Sequence, residues 1–82
     1  MRLCELKPGE SATVRALLSI GGIRRRLMDI GVIDGTTVTC VGRSPGGDPA
    51  AYAICGAVIA IRDRESAEIL VDPLERGALP WG

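Results

Sequence analysis

Arg26-Leu27-Met28-Asp29-Ile30-Gly31-Val32, followed by Gly35-Thr36, Gly47-Asp48-Pro49 and Gly56-Ala57-Val58-Ile59-Ala60-Ile61-Arg62, decides the fold of this chain. Each glycine stands where one regular element has to stop and another begin. The apolar residues between them change period from helical to alternating. Just upstream, Ile20, Ile23, Leu27 and Ile30 recur at spacings of three, four and three, which puts them on one helical stripe predicted to lie against a core. Ser19 is the expected N-cap. Gly31 is expected just past the last turn, where a left-handed residue closes a helix without a Cβ clash. Gly21-Gly22 weakens the helix by about 1 kcal/mol each relative to alanine, so packing has to hold it in place.

On either side the pattern is β. Leu3 and Leu6 before Pro8-Gly9 read as an anchoring turn. Glu10 to Leu17 then alternates, with Ala12, Val14 and Ala16 predicted inward and Ser11, Thr13 and Arg15 outward. Asp34-Gly35 is a turn signal before a second strand over Thr36 to Val41, with Val38 and Cys40 on its core face. Ser44-Pro45-Gly46-Gly47-Asp48-Pro49 excludes any regular element. Tyr52 to Ile61 divides at Cys55-Gly56 into a tight hairpin with Ile54, Ile59 and Ile61 inward, leaving Ala51, Ala53, Cys55, Val58 and Ala60 as a small-residue outer face. One helical turn over Asp63 to Ala67 leads to a last strand with Ile69 and Val71. The expected fold is mainly β with one main helix: a small five-stranded SH3-like β-barrel over residues 1–72, the helix between its first and second strands. Residues 73–82 read as a tail.

Composition narrows the function. A chain of 82 residues holds one domain with a thin core, burying about two-thirds of its unfolded surface. Ten basic and ten acidic side chains cancel, and aromatic residues are scarce, which disfavours nucleic acid as a partner. The longest weakly polar stretch, residues 50–61, is far short of the roughly 20 residues of a spanning helix. Glu5, Lys7 and Glu10 interrupt any secretory leader, so cytoplasmic residence is expected. Three cysteines without a CxxC spacing read as reduced thiols. Without histidine, the usual zinc and general-base chemistry is missing, so neither an enzyme nor a bound cofactor is expected.

Arg26-Leu27, Gly31, Gly35-Thr36, Gly47-Asp48-Pro49, Gly56, Ala60-Ile61-Arg62, Ala67 and Ile69-Leu70-Val71 together resemble, in order and spacing, the FeoA family of bacterial ferrous iron transport. The resemblance runs from Leu3 to Val71. It departs from the family pattern at Asp34, where proline is usual, at Gly46, where a large aliphatic residue is usual, and at Ile61, where leucine is usual. Cys55, Ala57 and Val58 replace residues that are commonly polar or large. The resemblance implies a non-enzymatic accessory that docks on the cytoplasmic GTP-binding part of the membrane permease FeoB and modulates transport or assembly. The alternative it leaves is a metal-binding or metal-sensing barrel, related to the C-terminal domain of iron-dependent transcriptional regulators.

The candidate contact residues are Arg24, Arg25 and Met28 on the helix and Cys55 and Val58 on the hairpin. At 100° per residue the arginines fan around the helix: Arg25 points outward with Asp29, Arg24 and Met28 border the apolar stripe on one side, and Arg26 on the other. The plain reading is a solvated face with snorkelling arginines, and the sharper one is a docking site for an acidic surface. Ile20-Gly21-Gly22-Ile23 imitates a phosphate cradle but lacks the Lys-Ser or Lys-Thr of a P-loop. Cys4, Cys40 and Cys55 read as small hydrophobes sooner than as metal ligands. Asp48 reads as a turn residue, with Arg62 expected to pair with it or with Asp63. The absence of phenylalanine excludes an aromatic groove for Pro-rich peptides. The apolar outer hairpin predicts a homo-oligomer.

Overall fold

A computed structural model of the chain describes residues 1–74. After a single 3-10 turn at Leu3–Glu5 come β1 (Ser11–Leu17), α1 (Gly21–Asp29), β2 (Thr37–Arg43), β3 (Ala50–Ile54), β4 (Ala57–Ile61), α2 (Asp63–Ser66) and β5 (Ile69–Pro73). The strands form one antiparallel sheet in the order β4-β3-β2-β1-β5. It curls around Leu3, Leu6, Val14, Leu27, Val32, Val38, Cys40, Tyr52, Ile54, Ile61, Ile69 and Val71, all buried. This is the mainly β barrel the sequence predicts, with its helix between the first two strands.

Two bulges set what the barrel presents. In β2 the register shifts between Cys40 and Gly42, so Val41 has no opposite residue and stands 53% exposed. One extra residue reverses the side-chain alternation beyond it. Gly42 therefore pairs with half-buried Ala51, and Arg43 pairs with buried Ala50 on the inner face. In β1 the register shifts between Val14 and Ala16 around Arg15, so Leu17, opposite Ile69, packs on the core. Ala16, expected inward with Val14, is half-buried opposite Leu70.

The bulge turns Arg43 into a clasp. Its guanidinium donates to the carbonyls of Cys4 (2.5 Å), Leu6 (3.2 Å) and Gly47 (3.2 Å) and to Asp63 Oδ1 (3.3 Å). Asp48 Oδ1 in turn accepts the backbone N–H of Asp63 at 3.0 Å. The N-terminal turn, the Gly47-Asp48-Pro49 corner and α2 are thus joined through one arginine. Arg62, expected to pair with Asp48 or Asp63, is exposed, because Arg43 and a backbone N–H have taken those carboxylates.

The helix differs most from expectation. Its N-cap is Ile20 without a side-chain cap bond, and Ser19 is buried. The cause is that β1 pairing extends past Leu17: Leu18 N–H donates to Glu68 O at 2.7 Å, holding the chain extended until Ile20. Of the four stripe residues, Leu27 is buried and Ile30 half-buried, whereas Ile23 is 44% and Ile20 84% exposed. Only the C-terminal turn reaches the core. It closes with Gly31 N–H on Met28 O (3.0 Å) and Val32 N–H on Leu27 O (2.9 Å), with Val32 and Leu27 both buried, as in a Schellman motif. Gly31 has φ +105°, and a Cβ there would lie 2.7 Å from Cys55 Sγ. Glycine is thus required by conformation and by the close approach of the hairpin.

At the far edge, Pro73, read from sequence as the first tail residue, pairs with Ala12, and Leu74 N–H donates to Ser11 O at 3.0 Å. The rest of the expected tail, 75–82, lies outside the described residues.

Candidate partner-binding surface

Helix α1 projects its first two turns from the barrel, so its side chains rather than a cavity form the surface. Arg24, Arg25 and Met28 line one shallow groove with Gly21, Gly22 and Asp29. Arg24 leans back, its Nη1 donating to Leu17 O at 3.0 Å. It then borders a second hollow of 350 Å³ with Arg15, Ala16, Leu17, Met28, Ile33 and Asp34. Arg25 is exposed and makes no ion pair among the described residues. Exposed apolar residues surround these cations: Leu18, Ile20 and Ile23 at the start of the helix, Met28 on it and Ile33 beyond it. The helical stripe predicts Ile20 and Ile23 against the core, yet both face solvent. Leu18 and Ile33 could have been noticed as apolar residues outside every predicted stripe.

Cys55 and Val58 are not brought to this groove. Cys55 sits at the hairpin tip with its Sγ against Gly31, and Val58, 64% exposed, stands opposite Ala53 on the outer face of the sheet. The remaining motif residues shape the scaffold. Arg26 Nη2 pairs with Glu65 Oε1 at 2.5 Å, tying α1 to α2. Gly35 donates its N–H to Val14 O at 2.8 Å. Pro49 O accepts from Ser44 N–H at 3.0 Å, and the Asp48-Pro49 peptide is cis. Arg62 and Arg26 rim a cleft of 370 Å³ between α1, β4 and α2, floored by Leu27, Ile30 and Ile59. Among the described residues no group of three His, Cys, Asp or Glu side chains is placed to hold a metal ion. None of their helices is long and apolar enough to cross a membrane.

These elements, in this order, match a known family: the FeoA domain model covers residues 1–73. The chain belongs to the FeoA family. That family is one of ferrous iron transport. A Porphyromonas gingivalis protein described as an Fe(2+) transport protein A/Fe(2+) transporter FeoB fusion is 32% identical over 78 residues, which is 95% of this chain and 9% of that one. The present chain therefore spans under a tenth of that relative. The solution structure of the Chlorobium tepidum FeoA protein is similar over 100% of this chain and 81% of its own, at 33% identity and a TM-score of 0.86. The Stenotrophomonas maltophilia FeoA, crystallised with zinc and described as an SH3 domain protein, is 32% identical, covers 88% and 89% of the two chains and gives a TM-score of 0.79. The SH3-like fold of this FeoA-family chain follows from its five-stranded sheet and from these structures.

Proposed function

We propose that this chain is a non-catalytic, cytoplasmic accessory of ferrous iron uptake that docks on the cytoplasmic GTP-binding part of a FeoB-like permease and modulates transport or assembly. The observation that carries the reading is the Porphyromonas gingivalis fusion, where an FeoA-like segment and a FeoB transporter share one polypeptide. Fusion replaces a binding equilibrium by a high effective concentration, which benefits two parts that work in contact.

The α1 surface supports docking by its chemistry. Met28 stands exposed in the groove between Arg24 and Arg25, and Ile20 and Ile23 are exposed at the start of the same helix. Such a surface suits an acidic, partly apolar patch on the partner, and methionine adapts its shape to the contact.

The test is calorimetry of the purified chain with the permease's cytoplasmic domain, with and without a non-hydrolysable GTP analogue. Arg25→Glu is expected to weaken binding about tenfold or more while leaving the melting temperature unchanged, since Arg25 is exposed and forms no ion pair among the described residues. Equal affinity for wild type and Arg25→Glu would remove α1 as the docking face. A wild-type chain that binds neither nucleotide state would remove the reading itself.

A further inference from the structure

The two edges of the sheet are finished differently. Along β5 the N-terminal segment covers the outer edge: Arg2 bridges Leu70, and Val71 N–H donates to Met1 O at 2.8 Å. The same strand ends in Asp72-Pro73, a charge and a proline, both of which discourage pairing. Strand β4 carries none of these devices. It reads Ala57-Val58-Ile59-Ala60-Ile61, without charge, proline or bulge.

The hairpin register says which backbone groups of β4 are free. Ile54 and Ala57 close a two-residue loop in which Cys55 (φ +50°) and Gly56 (φ +81°) are both left-handed, a type I′ turn. The closing pair of such a turn is hydrogen-bonded, and bonded pairs alternate with non-bonded ones. Ala57, Ile59 and Ile61 thus bond to β3, while the N–H and C=O groups of Val58 and Ala60 point away from it. Those groups have no partner among the described residues.

We propose that β4 is a self-pairing edge, through which two copies of this chain associate antiparallel about a two-fold axis at Ile59. In that register Val58 of each copy faces Ala60 of the other, and the free N–H and C=O groups of both are satisfied. Adjacent side chains on the outer face are small: Val58, Ala60, Ala53 and Ala51. On the inner face, the second copy's Ile59 enters the 370 Å³ cleft floored by Leu27, Ile30 and Ile59. Strand β4 itself carries no charge, while the cleft beside it is rimmed by Arg26, Arg62, Arg64 and Glu65. Along the strand the nearest charged residue, Arg62, faces Gly56 of the other copy, so the two Arg62 side chains stand about 20 Å apart along the strands.

An isologous contact of this kind uses one patch twice and closes at a dimer. One short strand pair buries less than the roughly 800 Å² per partner of a stable complex, so the dimer is weak and concentration-dependent. This surface is distinct from the α1 face, and either can fail without the other.

Sedimentation equilibrium of the full chain over a concentration series, with amide hydrogen exchange, tests the proposal. The wild type should dimerise reversibly, with exchange at Val58 and Ala60 slowing as concentration rises. Val58→Lys should raise the dissociation constant about tenfold or more. Ala60→Pro should do the same, since it removes an outward N–H that bonds nothing within the sheet. Unchanged melting temperatures for at least one variant exclude a folding defect. A strictly monomeric wild type overturns the proposal, as does a dimer insensitive to both variants. Concentration-independent protection of Val58 and Ala60 in a monomer also overturns it, by assigning the edge to another part of the same chain.

Discussion

Gly31 and Cys55 are one feature made by two residues far apart in sequence. Gly31 sits at φ +105° with Cys55 Sγ 2.7 Å from where a Cβ would stand, and Cys55 itself holds φ +50°, a conformation that costs a non-glycine residue about 1 kcal/mol or more. Gly31→Ala is expected to lower unfolding stability by about 1 to 3 kcal/mol in denaturant titration. In a Cys55→Gly background the penalty should shrink, because the overlap is gone and only backbone strain at position 31 remains. A double-mutant cycle with no coupling would show that the two residues do not meet in this way. The left-handed need at Gly31 was legible in the sequence from the helical stripe before it. The contact with Cys55 was not, because nothing local brings a hairpin tip to a helix end.

Two arginines join elements at the edges of the apolar core. Arg43 holds the N-terminal turn, the corner at Gly47 and α2 together, and Arg26 links α1 to α2. Loss of Arg43 leaves carbonyls of Cys4 and Leu6 without that donor. Arg43→Met is therefore expected to cost about 2 kcal/mol in thermal or chemical unfolding. Arg43→Lys should recover only part of it, since an ammonium lacks the planar fork that reaches several acceptors at once. Arg26 is 61% exposed at its side chain, so Arg26→Ala should cost under about 1 kcal/mol despite its short bond to Glu65. Both strands that carry bulges were recognised from alternation. Arg43 was missed because alternation beyond an unseen bulge assigns it to solvent.

For the whole molecule, thinness of the core makes each buried group count. Tyr52 is fully buried with its hydroxyl directed to Leu3 O at 3.4 Å, and desolvation pushes its pKa up from the ordinary value of 10.0. Burial favours the neutral phenol in the folded state, while in the unfolded chain it ionises near pH 10. The fold therefore keeps this contribution below that pH and loses it as pH rises through and beyond it. Tyr52→Phe should flatten the alkaline limb of a stability–pH curve, as read by urea titration at several pH values. An unchanged limb would assign the loss to other groups. The sequence by itself determined the class of fold, the order of strands and helix, most of the core and the family resemblance. Periodicity and turn chemistry are local, and they act over a few residues at a time. The tertiary structure alone decided that Ile20 and Ile23 face solvent, that Arg43 turns inward, and that β5 is covered by the N-terminal segment while no described residue pairs with the outer edge of β4. Each of these depends on register between strands distant in the chain, where one bulge or one extended pairing reverses which side chains meet water.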